Sequence, residues 1–110
     1  MKLFWILGVV QEQDPNIWQK NFILNVESYD IIYIFYALHE VPKKLRNGIV
    51  IEFFRILKNN GKLFIKEPQR ENDGMPINEI QELMISNGFY RESCNVSKGT
   101  YSAVYIKSNK

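Results

Sequence analysis

The sequence holds one histidine, His39, just past a run dense in strand formers, Tyr29 to Tyr36. A histidine at the carboxyl end of a strand can act as a general base near neutral pH. Its neighbour Glu40 can orient a substrate amine or hydroxyl. Glu67 closes the next strand-like run on the same edge of the sheet and can line a substrate site. Plain structural roles compete for each residue and weigh more. A lone histidine with no visible partner more often packs or hydrogen-bonds within its loop. Glu40 more often faces water, because an unpaired Glu is rarely buried. Glu67 and Asp30, the latter opening its strand, can serve the backbone. Cys94 is the single cysteine and reads as a small buried strand residue. One cysteine builds neither a disulfide within the chain nor a cysteine-based metal site. No Asp/Glu/His grouping has metal-ligand spacing.

These residues need elements to hold them. Leu3 to Val10 is continuously apolar, which suits a strand covered on both faces. Asp14-Pro15-Asn16 marks a turn. Ile17 to Lys20 is ambiguous, and Phe22 to Val26 reads as a second short strand. Tyr29 to Tyr36 reads as a central parallel strand, with a loop over Ala37 to Val41. Pro42 stands where a helix starts. Leu45, Ile49, Phe53, Ile56 and Leu57 recur at helical spacing and make one apolar face. Glu52 and Arg55 can pair on this helix, and Gly48 weakens it. Lys58 falls in its last turn, and Asn59-Asn60-Gly61 is the stop. Gly61 to Glu67 is the next strand, closed by Pro68, and Gln69 to Met75 is a loop. A helix follows from Ile77 or Asn78 to Asn87, with Asn78 and Gln81 resembling a capping box. Ile80, Leu83 and Met84 face the core, and Gly88 ends the helix. Tyr90 to Val96 and Thr100 to Ile106 form a hairpin through Ser97-Lys98-Gly99. Strands alternating with helices imply a parallel sheet covered by helices.

The chain has 110 residues, 45% hydrophobic and 14% aromatic, enough apolar mass for one domain over residues 1–110. The formal net charge is only +2. Lys43-Lys44-Leu45-Arg46 and the tail Lys107 to Lys110 are too short for a nucleic-acid footprint. They read as a solvated helix face and a frayed end. Leu3 to Val10 is shorter than the ~20 residues of a membrane helix. Gln11-Glu12-Gln13-Asp14 follows it in place of a signal-peptide cleavage site. The expectation is a cytoplasmic protein with no membrane and no nucleic-acid partner.

Three pieces of wording add a family resemblance. Tyr29-Asp30-Ile31-Ile32, followed by Ala37-Leu38-His39-Glu40-Val41, resembles an aromatic-Asp-hydrophobic strand and the Leu-His-x-Val segment after it. Glu52-Phe53-Phe54-Arg55-Ile56-Leu57-Lys58-Asn59-Asn60-Gly61-Lys62-Leu63 resembles a Glu-x-x-Arg-Val-Leu-Lys-Pro-Gly-Gly run. Ile80 to Phe89 resembles a helix ending in Gly-Phe. Together they resemble the C-terminal half of the class I SAM-dependent methyltransferase domain over residues 29 to about 107. The resemblance implies a truncated Rossmann-like α/β fold, mostly parallel with a C-terminal antiparallel hairpin and helices on the faces. It implies S-adenosylmethionine as cofactor, an unknown methyl acceptor, and a loop at Phe35, Tyr36, Ala37 and Leu38 lying against the cofactor.

The family's Gly-x-Gly-x-Gly loop is absent, since Gly8 is followed by Val9-Val10-Gln11. Glu12 and Asp14 are candidates for the ribose-gripping acid by type alone. The chain therefore reads as N-terminally truncated or internally collapsed, with Leu3 to Val10 in the vacated first-strand slot and Trp5 and Trp18 shielding the sheet edge. A methyltransferase is the leading reading. The alternative is a non-catalytic remnant or partner subunit, joining a homo- or hetero-oligomer through the open sheet edge.

Overall fold

The computed structural model describes residues 3–7, 29–70 and 73–108. Gly8, Glu12, Asp14, Trp18 and the expected segments at Ile17 to Lys20 and Phe22 to Val26 lie outside these residues. Of Trp5, the backbone is described.

Among the described residues, six strands and two α-helices follow in the order β1 (Leu3–Leu7), β2 (Tyr29–Phe35), α1 (Lys43–Ile56), β3 (Leu57–Arg70), β4 (Asp73–Gly74), α2 (Ile77–Ser86), β5 (Phe89–Ser97) and β6 (Thr100–Lys107). A 3-10 turn, Leu38–Glu40, lies between β2 and α1. The sheet order is β1-β2-β3-β6-β5, with the two-residue β4 paired to β3. β1 pairs parallel with β2, Leu3 opposite Ile31 through Leu7 opposite Phe35. The apolar N-terminal run thus takes the slot beside Tyr29 to Tyr36 over Leu3–Leu7. β2 pairs parallel with β3, while β6 runs antiparallel to both β3 and β5. Among the five long strands β6 alone is reversed.

Strand alternation explains the core. Ile32, Ile34, Leu63, Ile65, Ala103 and Tyr105 point to one face and are buried, each aliphatic side chain contributing about 1.5–3 kcal/mol through burial. Ile49, Val50, Phe53 and Ile56 of α1, with Ile80 and Met84 of α2, complete the same cluster. Ala103, small and placed between Tyr101 and Tyr105, lets the two buried phenols lean together with hydroxyls 3.0 Å apart. Burial first, then the Tyr101 bond, holds the Tyr105 hydroxyl un-ionised far above its usual range. The opposite face carries Tyr33 stacked on Phe64, with centroids 5.2 Å apart, and Lys66 over Phe35 at 5.2 Å.

Pro42 precedes α1 as its N-cap, in extended geometry. Several boundaries differ from the sequence reading. α1 ends at Ile56, and Leu57 is already extended, so Lys58 lies beyond the last turn. The reason is a long register shift: Tyr29 faces Leu57, yet Ile31 faces Lys62. Lys58 to Gly61 bulge out of the ladder, with Asn60 left-handed at φ 66° and Lys58 3.4 Å from Asp30. A Cβ at Gly61 would lie 2.7 Å from the Lys58 carbonyl oxygen, so this turn requires glycine. Lys107, read from sequence as frayed tail, is buried. Its ammonium donates to the Leu57 carbonyl at 2.7 Å at the negative end of α1 and lies 4.5 Å from the Phe54 ring centroid.

Pro68 does not close β3, which continues to Arg70 and pairs with β4 in place of the expected loop. The N-cap of α2 is Pro76, with no side-chain cap bond. Asn78 therefore sits within the first turn, and the expected capping box is not formed. Proline fixes the entry φ by itself. The hairpin turns on Lys98 and Gly99, at φ 54° and 75°, the two positive values that a type I′ turn demands. Cys94 is exposed, not buried, because β5 is the sheet's edge strand and only Phe89 of it enters the core.

Candidate functional site

The parallel pairing of β2 with β3 brings their carboxyl ends together, and with them residues 28 positions apart. Glu67 near the end of β3 is fully buried. Its carboxylate accepts the backbone N–H of Leu38 at 2.9 Å, of Ala37 at 3.3 Å and of His39 at 3.2 Å. It also meets His39 Nδ1 at 2.6 Å. A helical turn begins with unsatisfied N–H groups, and here a carboxylate from the neighbouring strand satisfies them from across the sheet. Tyr101 lies opposite Glu67 on β6, helping to keep water away. Burial pushes the Glu67 carboxyl above its ordinary range; the imidazole and the N–H groups of Leu38 and His39 pull the other way without cancelling it.

The carbonyl side of the same turn is held by Arg46 of α1. Its Nη2 donates to the His39 carbonyl at 2.7 Å and its Nε to the Val41 carbonyl at 2.9 Å. Its Nη1 reaches Glu79 of α2 at 2.8 Å. Arg46 is one residue of the basic run read from sequence as a solvated helix face, yet its side chain is only 12% exposed. Arg46 and Glu79 were not legible as site residues. Their partners are backbone carbonyls and a residue 33 positions away. The basic run marked the place, and nothing in it pointed inward.

The candidate residues divide accordingly. His39 and Glu67 are bonded to each other. Glu40 is half-exposed, with an oxygen 3.9 Å from His39 Nε2. Ala37 and Leu38 are buried and their N–H groups are taken by Glu67. Phe35 is half-buried and helps line a cavity of about 360 Å³ that also touches Phe64, Lys66, Cys94 and Asn95. Tyr36 is 43% exposed. Its φ of 57° is rare for a bulky residue, and its N–H is tied to the Lys66 carbonyl at 2.8 Å. Glu52 and Arg55 pair on α1 at 2.9 Å, as the spacing predicts.

The described part of the site fits S-adenosylmethionine in one respect. Phe35 and Tyr36 offer aromatic faces of the kind on which a purine stacks. Glu12 and Asp14, the candidates by type for the ribose-gripping acid, lie outside the described residues. Among the described residues no group of His, Cys, Asp and Glu could hold a metal ion. No helix among them is long and apolar enough to cross a membrane.

The fold is that of the SAM-dependent methyltransferases. A SAM-dependent methyltransferase from Methanosarcina mazei superposes with a TM-score of 0.72 at 17% identity, over 82% of this chain and 64% of its own. A putative type 11 methyltransferase from Sulfolobus solfataricus gives 0.68 at 16% identity, over 96% of this chain and 71% of its own. A structure of the Haloferax volcanii Trm112 methyltransferase activator with a putative methyltransferase gives 0.72 at 12% identity, over 98% and 83%. The chain therefore spans less than two thirds of the M. mazei protein. No family model matches the sequence, and no curated protein does.

Proposed function

We propose that the chain binds S-adenosylmethionine at the carboxyl ends of β1 and β2 and serves methyl transfer to an acceptor there. Open α/β sheets place their ligands beyond the carboxyl ends of the strands, and the likeness in fold to methyltransferases supports that position. The observation that carries the reading is Tyr36. An exposed aromatic residue is held in a left-handed backbone conformation at the end of β2. Such strain persists where surroundings over-determine it, and it clusters at ligand sites. The cofactor, when bound, supplies an electrophilic methyl group. The chain's own part is to present Tyr36 and Phe35 as a wall, to keep the turn below them rigid through Glu67 and Arg46, and to place His39 and Glu40 beside the acceptor.

Calorimetric titration of S-adenosylhomocysteine into the chain, folded by circular dichroism, tests the reading. Binding in the micromolar range supports it. Tyr36→Asn should weaken binding about fivefold or more, from the loss of about 1 kcal/mol of stacking. Asn tolerates the left-handed backbone, so thermal stability should hold. A folded chain that shows no binding overturns the proposal.

A non-catalytic partner subunit is the second reading. The H. volcanii neighbour, from a complex of a methyltransferase activator with a putative methyltransferase, supports association with a partner chain, and failure of the binding test would leave the non-catalytic reading standing.

A further inference from the structure

We infer that the groove on the sheet face opposite α1 and α2 is a binding site for a small aromatic carboxylate. The site stands on its own geometry and does not depend on cofactor binding at Tyr36. Strand register builds it. Tyr33, Phe64, Val104 and Ser93 stand opposite one another across β2, β3, β6 and β5. Phe35, Lys66, Ser102 and Asn95 form the next such row, two residues along β2. Residues opposite one another on paired strands project from the same face. The apolar sides of α1 and α2 pack with the buried cluster on the other face. Of the two rows, all but Tyr33 line the cavity of about 360 Å³.

Ligand sites of this size are mostly apolar, with a few polar groups that set orientation. Phe35, Phe64 and Val104 supply the apolar part. The side chains of Ser93, Asn95 and Ser102 make no hydrogen bond to the described residues, so their polar atoms are uncommitted there. Among the described residues that line the cavity, Lys66 alone is charged. Lys62, on the same face of β3, is taken by Glu92 at 3.3 Å. Lys66 has no carboxylate partner among the described residues, and its ammonium lies 5.2 Å from the Phe35 ring centroid. One ammonium is a compact point charge with three donors, which suits a monoanion. Because that charge sits directly beside an aromatic ring, the ligand must carry its own charge directly beside an apolar body. An aryl carboxylate does so. Its oxygens accept charge-assisted bonds from Lys66 Nζ, while its ring packs edge-to-face or offset against Phe35 and Phe64. A phosphate dianion would bring a second charge against the apolar wall without a partner. An alkylammonium would meet Lys66 as a like charge.

The test is a titration of benzoate into the isotope-labelled chain at neutral pH, followed by backbone amide NMR. Saturable shifts should centre on Phe64, Lys66, Ser93, Asn95 and Ser102. Benzamide, which keeps the ring and lacks the charge, should bind at least fivefold more weakly, and acetate, which keeps the charge and lacks the ring, likewise. Shifts that do not saturate, shifts centred elsewhere, or an equal response to benzamide or acetate overturn the inference in the wild-type chain alone. Lys66→Met keeps the length of the stem and removes the charge. The side chain is exposed, so the variant should melt close to wild type and bind benzoate at least fivefold more weakly. Lys44→Met, an exposed change on α1, should bind as wild type does. Undiminished binding in folded Lys66→Met, or an equal loss in Lys44→Met, refutes the assignment to Lys66. The titration is read without S-adenosylhomocysteine, so failure of the cofactor to bind leaves its outcome unchanged.

Discussion

Arg46→Ala should be among the most damaging single changes outside the apolar core. The side chain makes three bonds, to the carbonyls of His39 and Val41 and to Glu79. A net hydrogen bond to a charged group contributes about 1.5–3 kcal/mol. Water can rehydrate part of this region, so the lower figure applies to each carbonyl. The Glu79 contact, on a carboxylate 21% exposed, adds less than about 1 kcal/mol. The loss comes to about 3 kcal/mol, a large part of the roughly 5–15 kcal/mol that holds a small domain folded. At about 4 °C or more per kcal/mol, the melting temperature should fall by roughly 12 °C or more. Thermal unfolding followed by circular dichroism measures it. Lys62→Ala is the control: it removes an ion pair with Glu92 between two exposed side chains and should shift the midpoint little. Arg46→Lys should fall between, because one ammonium cannot span three acceptors as the guanidinium does. If Arg46→Ala costs no more than Lys62→Ala, the clamp does not hold the turn.

Other changes separate space from backbone conformation. Gly48 lies within α1, and a Cβ there would meet nothing within 4 Å, so Gly48→Ala should stabilise by about 0.5–1 kcal/mol, read by urea titration. At Gly74, φ is 120° and a Cβ would meet the Pro68 carbonyl oxygen; Gly74→Ala should destabilise in the same assay. Cys94 is exposed and should react with an aromatic disulfide reagent in the native protein; a need for denaturant would show that β5 is covered. The Glu67 carboxyl is raised by burial, so the folded chain binds its proton more readily than the unfolded one. Stability from this group is complete below the unfolded carboxyl value, about 4.3, and is lost as pH rises through the raised native value. The gap in unfolding free energy between wild type and Glu67→Gln should narrow over that rise, and a gap that widens would refute the direction.

Local pattern carried most of the element order. The β-branched and aromatic run at Tyr29 to Tyr36, the helical spacing of Ile49, Phe53 and Ile56, and the Lys98-Gly99 turn each act through contacts close in sequence. Boundaries failed where tertiary geometry overrode the local signal. Asn59-Asn60-Gly61 carries the wording of a helix stop, yet it forms a bulge beside β2, because the pairing of β2 with β3 is set by Ile31 through Phe35. Cys94 was misplaced because its burial depends on which strand ends at the sheet edge. Lys107 was misplaced because its position beside the end of α1 follows from the β3–β6 register, and no neighbour in sequence reports it. The site divided in the same way. His39 and Glu67 were legible as residues at the ends of adjacent strands. Their bond was not, since a 28-residue separation leaves no trace in spacing.

The arrangement of the turn bears on what a ligand can add. Its N–H groups end on Glu67 and two of its carbonyls on Arg46, so the chain satisfies this backbone from within. A ligand arriving at Tyr36 meets a surface ordered before binding, which lowers the entropy cost of association. The same economy restricts recognition. The amides of Ala37, Leu38 and His39 are committed to Glu67 and are not available as donors, so selectivity at this wall must come from side chains. Tyr36 and Glu40 are the exposed ones along Phe35 to Glu40. Changes at those two positions should therefore act on binding with little effect on stability, whereas changes at Glu67 or Arg46 should act on stability first and on binding through the displaced turn.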